Sequence, residues 1–437
     1  MTEKDAMKNV LLILLSIIIS INVFPQSENQ SSLAYYIREA KLNSPLIKDY
    51  LNQQIVSDYE LQRLKAFYTQ SKLDLAGNYL FVPIIAKDNG KTAFKWNNPT
   101  ATDYYGYDLG QTGQSLQAGI TWSKPLLGRA SYKLAEEQIE VDKEISKNNI
   151  RLQEHDLEKL VTDQYILCLL NKKKIAFSDS LLILLDQQTD VVQKLAKVGI
   201  MKQSDIKLLH VEIQNNKELQ ETYKQSYRKD LLDLNILCGI RDTSIVILDD
   251  INIDLRLPIQ SNSLFLEQYR LDSLNLKTLQ NVSEIQYKPQ LNFFVDGGLR
   301  FSEFNKSVPK HFGMSAGITF TWTLFDGKQR KLTRNKTNAQ LSTISFYREN
   351  FILQNDLKRK QCLTELKSYD ARKKLLITQV DTYNQILSDY KQEINKGQRS
   401  MVDFITVLRS RTQTVENQYL LDANRLLLIN TYNNANW

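Results

Sequence analysis

Proline is missing from two long parts of this sequence, and glycine is rare in them. The eight prolines stand at positions 25, 45, 83, 99, 125, 258, 289 and 309, so none occurs from 126 to 257 or from 310 to 437. Glycines are also rare there: past Gly128 the first part has only Gly199 and Gly239, and past Gly327 the second has only Gly397. Because both residue types interrupt helices, their scarcity predicts two very long helices, over 131–197 and 328–396, each followed by a glycine and a returning helix.

Residues arranged for catalysis or metal binding are absent. The three cysteines are far apart in apolar helical contexts, which predicts buried packing and no disulfide framework: Cys168, Cys238 and Cys362. The three histidines are isolated: His155, His210 and His311. No nucleophile elbow, phosphate loop or metal-ligand spacing occurs. We therefore expect no enzyme activity and no cofactor.

Only one long apolar run occurs, Val10 to Phe24, and it follows Lys4 and Lys8. A basic segment before a short apolar core is typical of a signal peptide, here residues 1–26, and predicts export; an uncleaved N-terminal anchor is the alternative. The mean hydropathy of −0.38 excludes a helical membrane protein, whereas alternating strands of a membrane barrel average out. The net charge of +7 is spread along the chain without a basic stripe, which argues against nucleic-acid binding.

Strict alternation of apolar and polar residues marks four segments. In FGMSAGITFTWTL (312–324) every even position is apolar and every odd position is small or polar. The same pattern runs through 72–81, 114–124 and 291–301, where Phe294 breaks it. A strand of about ten residues with this pattern has the length of a tilted membrane-spanning strand. A half-buried strand of a soluble sandwich has the same pattern.

The chain is predicted to be an internal duplication. The string AGIT stands at 118–121 and again at 316–319, and the same offset of 198 residues separates Gly199 from Gly397. The first repeat is expected over 27–244, with a helix (33–70), the strand pair 72–81 and 114–124, the long helix 131–197 and a returning helix 204–238. An irregular connector follows at 245–262. The second repeat, 263–437, then has a helix (263–287), the strand pair 291–301 and 312–324, the long helix 328–396 and a returning helix 401–430.

Four strands cannot close a membrane barrel, since about eight is the smallest number seen, and open strand edges are not tolerated in lipid. Long helices with one apolar seam also need neighbours along their length. We therefore predict an α+β fold: very long α-helical hairpins pack against those of neighbouring copies, and each chain contributes four strands to a shared transmembrane β-barrel. A homotrimer with twelve strands would close the barrel and give the long helices their neighbours. The polar inner face of its barrel would make a conduit.

Several short motifs then resemble the TolC family of outer-membrane efflux proteins, over about Ser32 to Asn430. They are the turn Val198-Gly199-Ile200 followed by Asp205, the turn Gly397-Gln398-Arg399-Ser400 followed by Asp403, the helix end LNILCGI at 234–240 and the strand-to-helix step LFDG at 324–327. This chain departs from the family pattern in having Lys396, Gln398 and Ile200 where Val, Thr and Leu are usual.

The resemblance implies the rest of the assignment. It implies an outer-membrane channel in a Gram-negative bacterium, in which the helical hairpins form a helical barrel as a long periplasmic extension. The channel would belong to a tripartite efflux system that exports drugs, metals or metabolites. Its partners would be two further copies, outer-membrane lipid, a periplasmic adaptor (membrane fusion) protein and an inner-membrane transporter. The alternatives are an outer-membrane duct for type I protein secretion and a periplasmic coiled-coil scaffold.

The resemblance also assigns candidate residues. The expected adaptor-contacting tips are Val198, Gly199, Ile200, Asp205, Gly397, Gln398, Arg399, Ser400 and Asp403. Arg399 is a candidate contact because arginine is enriched at interface hot spots; a merely solvated arginine is the alternative. Asp389 and Glu393, one helical turn apart, would form an acidic constriction when repeated in a ring, or else a solvated helix face.

Overall fold

The structure, a computed structural model, describes residues 31–81, 84–88, 91–95, 103–105, 114–256, 263–301 and 312–436. The expected signal peptide and His311 lie outside these residues. The described helices are α1 (Leu33–Asn43), α2 (Pro45–Thr69), α3 (Gly128–Lys197), α4 (Gln203–Cys238), α5 (Leu264–Ser283), α6 (Gln329–Asn395) and α7 (Met401–Ala435), with a short 3-10 helix at Glu284–Tyr287. None of the described helices has an apolar stretch long enough to cross a membrane.

The strands form two antiparallel sheets. The strands are β1 (Lys72–Phe81), β2 (Ile84–Asp88), β3 (Lys91–Lys95), β4 (Asp103–Tyr105), β5 (Gln114–Pro125), β6 (Gln290–Phe301) and β7 (Phe312–Thr321). The larger sheet has the order β1-β5-β6-β7, and the smaller has the order β3-β2-β4. In the larger sheet β5 pairs with β6, which joins the two strand pairs that lie far apart in sequence. Within the described residues β1 and β7 pair on one side only, so both edges are open.

The register places most of the apolar positions of the larger sheet on one face. Leu75 lies opposite Ile120, Trp122 opposite Val295, and Phe293 opposite Ile318. Directly opposed residues in an antiparallel sheet project to the same side. Eight large apolar side chains of this face are at least half exposed in the single chain: Leu73, Leu75, Tyr79, Ile120, Phe312, Met314, Ile318 and Phe320.

The opposite face is mainly polar, and the structure explains the phenylalanine that lies on it. Asp74 pairs with Thr121, and Thr121 in turn with Asp296. Phe294, which breaks the alternation in the sequence, lies directly opposite Gly317. A Cβ on Gly317 would be 2.9 Å from Phe294 Cζ, so the ring occupies the space that glycine leaves on this face.

The chain divides into two compact units. One comprises residues 1–50, 148–267 and 349–437, and the other comprises 51–147 and 268–348, so each unit contains parts of both predicted repeats. The first unit has two hydrophobic clusters. One is centred on Tyr36, Tyr165 and Cys168, and the other contains Leu209, Ile394, Met401 and Phe404. The second unit contains the larger sheet.

The helix and strand bounds differ from the sequence prediction in several places. The expected helix 33–70 is interrupted at Ser44, because the residue before Pro45 is restricted to extended conformations. The last strand ends at Thr321, not at 324, and the last helix continues to Ala435, past the predicted end at 430. The described part of the segment between the first strand pair contains β2, β3 and β4. The connector has no helix or strand over its described part, residues 245–256.

Candidate functional site

The two helix-to-helix turns have the same backbone geometry. Gly199 and Gly397 have φ angles of 78° and 74°, in the left-handed region. After α3, the Ile200 amide donates to the Leu195 carbonyl at 3.0 Å and the Gly199 amide donates to Ala196. After α6, the amides of Gln398 and Gly397 donate to Glu393 and Ile394, both at 2.9 Å. Both turns are therefore Schellman caps, in which glycine satisfies otherwise unpaired carbonyls at the helix end.

An aspartate supports the start of each returning helix. Asp205 is the third residue of α4, and its carboxylate accepts from the Lys202 amide at 3.0 Å, as in a capping box. Asp403 occupies the same position in α7, where Ser400 is the N-cap and accepts from the Val402 amide at 3.1 Å. The structure thus gives Asp205, Ser400 and Asp403 positions at helix N-termini, where negative charge and hydroxyl acceptors are favourable.

The two turns lie against each other. A Cβ on Gly397 would be 2.9 Å from Ile200 Cγ2, whereas a Cβ on Gly199 would meet nothing within 4 Å. Beneath the turns, Met401 and Phe404 are fully buried in a cluster with Leu209 and Ile394. Val198, in contrast, is 69% exposed. The paired turns are therefore a supported surface with an exposed apolar residue.

Arg399 is held by three neighbours of its own chain. Its Nε donates to Glu393 Oε2 at 2.8 Å, and its Nη1 lies 3.7 Å from Asp403 Oδ2. The guanidinium carbon lies 4.4 Å from the centre of the Tyr390 ring, a cation–π distance. The hydrogen bond to Glu393 raises the pKa of the guanidinium. Arg399 is thus fixed in place beside the turn, with about a third of its side chain exposed.

The two candidate acidic residues, Asp389 and Glu393, differ in whether they form an ion pair. Glu393 is neutralised by Arg399, while Asp389 is exposed and forms no ion pair within the described residues. Sequence spacing alone gave no sign of this, because the arginine that pairs with Glu393 comes from beyond the turn.

Polar contacts between α4 and α7 form a second feature that the sequence analysis missed. Glu212 is 5% exposed, and its Oε2 accepts from Nη2 of Arg409 at 2.6 Å and from Nε at 3.0 Å. Eleven residues further along α4, the Tyr223 hydroxyl donates to the Glu416 carboxylate. Burial, then this carboxylate, raises the pKa of Tyr223. The sequence shows Glu212 and Tyr223 three helical turns apart, but it does not show which residues of α7 pair with them.

The polar face of the larger sheet borders a cavity in the second unit. The cavity has a volume of about 1020 Å³. Asn292, Phe294 and Thr319 line it from the sheet, and Phe67 and Tyr68 line it from the end of α2.

The described residues contain no group of three or more metal-ligating side chains. His155 is buried, and its Nε2 lies 2.9 Å from the Asn434 carbonyl oxygen. The cysteines are free and buried. Burial raises the pKa of the Cys238 thiol to about 12, and it also raises that of Cys168. Both thiols are therefore protonated and unreactive at neutral pH.

The chain thus combines long helical hairpins with a four-stranded sheet that has two open edges among the described residues. Solved structures with the same fold match the chain over nearly its whole length. The Campylobacter jejuni CmeC outer membrane channel aligns with a TM-score of 0.64 and 11% identity, over 92% of this chain and 86% of that one. The Vibrio cholerae outer membrane protein VceC aligns with a TM-score of 0.63 and 12% identity, over 92% and 96%.

The open state of the Neisseria gonorrhoeae MtrE outer membrane channel is similar at a TM-score of 0.63 and 10% identity, over 92% of this chain and 88% of that one. No protein-family model matches the sequence, and no curated protein matches it significantly. The chain therefore has the TolC fold, and the predicted combination of long α-helical hairpins with a four-stranded sheet is confirmed.

Proposed function

We propose that the protein is an outer-membrane conduit in which several chains share one β-barrel. The observation that carries this proposal is the larger sheet, with a mainly apolar exposed face, a mainly polar face and two open edges. In water such a face would aggregate, and in lipid such edges would leave backbone groups unpaired. Pairing β7 of one copy with β1 of the next removes both problems. Three copies supply twelve strands, within the range of membrane barrels.

In this account the apolar face meets lipid, and the polar face, with Thr121, Asp296 and Thr319, lines a water-filled passage. The helices continue the passage on the periplasmic side. The protein acts as a duct, not as an enzyme. The similarity of fold to CmeC, VceC and MtrE, which are described as outer membrane channels or proteins, supports this role.

The paired turns are the surface that we propose for binding partner proteins. We propose that Val198, Ile200 and Gln398, which are exposed, dock on a periplasmic adaptor protein connected to an inner-membrane transporter. Gly199 and Gly397 shape this surface, and Asp205, Ser400 and Asp403 hold the helix ends that frame it. The cargo class that best suits such a tripartite system is small molecules, with type I protein secretion as the competing use of the same architecture.

Adjacent residues of β7 test the conduit directly. Ile318 lies on the apolar face and Thr319 on the polar face, so Ile318→Cys and Thr319→Cys are matched variants. Each is labelled with an environment-sensitive fluorophore in protein reconstituted into vesicles; the native cysteines are buried and protonated. The account predicts quenching of the label at 318 by nitroxide lipids and at 319 by aqueous iodide. Iodide quenching at both positions would contradict a lipid-facing sheet.

Cargo is tested in cells that lack the chain. Efflux predicts increased accumulation of dyes or metals in the deletion strain, with an unchanged set of secreted proteins. A normal dye content with one missing secreted protein would favour the secretion duct.

A further inference from the structure

The strongest feature outside the turns is a basic surface at one end of the larger sheet. β5 and β7 are both antiparallel to β6, so they run in the same direction and end at the same end of the sheet. α3 begins three residues after β5, and α6 begins eight residues after β7. The residues that connect strand to helix in the two repeats therefore belong to one end of the sheet.

Exposed apolar residues continue past the strands at this end. Leu126 and Leu127 are 48% and 50% exposed, and Leu324 and Phe325 are 79% and 82% exposed. The two pairs are 198 residues apart in sequence, the offset of the predicted duplication. Each strand-to-helix step thus carries two apolar side chains that the single chain leaves largely uncovered.

Unpaired cations follow at once. Lys124, opposite Phe293, is the charged residue at the end of the described apolar face. Lys133 and Lys331, again 198 residues apart, and Lys328 are exposed, and none of them forms an ion pair within the described residues. At the start of α6 the imbalance is large: residues 327–348 include six lysines and arginines and no acidic residue.

The two carboxylates beside the start of α6 are already occupied. Glu284 binds Arg330 and Arg334 at 2.5 and 2.9 Å, and Asp326 accepts from the backbone amides of Lys328 and Arg330. These contacts fix the strand-to-helix step and leave the side chains of Lys328 and Lys331 without a counter-ion. A row of cations beside exposed apolar residues matches the border between lipid tails and negatively charged headgroups.

We propose that Lys124, Lys133, Lys328 and Lys331 form a binding surface for anionic phospholipid headgroups, with Leu324 and Phe325 inserted among the acyl chains. The inference rests on the proposed membrane position of the sheet. It adds a lipid preference. At the end of the sheet next to the helices, the lysines attract negatively charged headgroups, whereas the rest of the apolar face contacts lipid through burial of apolar side chains alone. Phosphatidylglycerol should therefore remain bound to the particle in preference to zwitterionic lipid.

The test is native mass spectrometry of the full-length, delipidated particle titrated with phosphatidylglycerol or phosphatidylcholine in detergent. The wild type should retain phosphatidylglycerol preferentially, with a preference that falls as salt rises. Lys328→Gln/Lys331→Gln should weaken it about fivefold per lysine removed, from roughly 1 kcal/mol per basic residue at a lipid surface. The matched control is Lys358→Gln/Lys367→Gln, 27 or more residues further along the same helix; it removes two exposed lysines that form no ion pair within the described residues, and it should change nothing.

Two further arms separate the possible ligands. Leu324→Ser/Phe325→Ser should also weaken phosphatidylglycerol binding, and glycerol phosphate, which lacks acyl chains, should not compete. Effective competition by glycerol phosphate would mean a free-phosphate site and would overturn the lipid assignment. Equal retention of both lipids by the wild type, or equal binding by the lysine variant and its control, would also overturn it.

The same spectra distinguish this inference from the proposed function. A trimer that binds both lipids equally refutes the lipid surface and leaves the conduit intact. A monomer from the soluble fraction refutes both.

Discussion

Ile200 of the first helix turn packs on Gly397 of the second, so closely that a Cβ at position 397 would lie 2.9 Å from Ile200 Cγ2. Gly199, the equivalent residue of the first turn, has the same left-handed backbone but an open surrounding. Two glycines at corresponding positions of the predicted duplication are therefore under different constraints. Gly199 is favoured by its backbone conformation alone, whereas Gly397 is favoured by its backbone conformation and by its contact with Ile200.

This difference predicts unequal effects of the same substitution. Gly199→Ala should cost about 1 kcal/mol, the penalty of a left-handed backbone for a residue with a Cβ. Gly397→Ala should cost more, because Ile200 must also move, and Gly397→Val more still. Thermal unfolding of the three variants measures the order. We expect Gly397→Val to assemble yet to impair export; normal drug or metal tolerance in cells carrying it would count against a role for the turns.

Arg399 should matter for partner binding through its fixed position. Arg399→Ala removes the contacts with Glu393 and Tyr390, and we expect at least about a tenfold loss of affinity for the adaptor, as for an interface hot spot. Arg399→Lys, which keeps the charge but cannot form the same planar contacts, should be intermediate.

Arg372→Ala is the control for Arg399, since that guanidinium also lies near a tyrosine ring of α6, 5.8 Å from the centre of Tyr369. Affinity measured by surface plasmon resonance should be unchanged for it. Equal affinities for wild type and Arg399→Ala would restrict Arg399 to a role within the chain.

The Glu212–Arg409 pair should stabilise the packing of α4 on α7. Glu212 is buried, so removing Arg409 leaves a carboxylate with too few donors, and Arg409→Met should cost about 2 kcal/mol of the free energy of unfolding. A double-mutant cycle with Glu212→Gln should give a coupling energy above 1 kcal/mol. The exposed pair Arg63–Glu60, at 2.6 Å, is the matched cycle and should couple by less than about 1 kcal/mol. Equal coupling in the two cycles would refute the role of burial.

His155 should make stability depend on pH. Burial lowers its pKa from the usual 6.5, although the Asn434 carbonyl, Asp156 and Glu158 act in the opposite direction and Arg256 acts with burial. As the pH falls below about 6.5, the unfolded chain takes up a proton before the folded chain does, so the free energy of unfolding decreases.

The pH effect of His155 is measured as the change in urea midpoint between pH 7.5 and pH 5.5. The wild type should lose more stability over this interval than His155→Gln, which has no titrating ring. An identical loss in both proteins would show that other groups carry the pH dependence.

The sequence predicted those parts of the fold that depend on local pattern. The absence of proline located the long helices to within three residues at each end, and alternation gave the bounds of β1 without error. Register could not be predicted, because the pairing of β5 with β6 joins residues such as Trp122 and Val295 that no local pattern connects.

At the turns, the sequence indicated the glycines but not the contacts. The left-handed caps at Gly199 and Gly397 follow from glycine after a helix and a capping residue beyond it. That Arg399 neutralises Glu393, and that Ile200 packs on Gly397, depends on how four helix ends meet in space. Candidate residues identified by motif therefore acquire distinct roles only in the folded chain.

The central claim is that several chains share one β-barrel. Native mass spectrometry of the particle extracted from outer membranes in mild detergent tests this claim most directly. The account predicts a trimer of mature chains, because three copies of β1, β5, β6 and β7 close a twelve-stranded barrel without open edges. A monomer, or a protein found wholly in the soluble fraction, would show that the alternating segments are ordinary strands and would contradict the conduit.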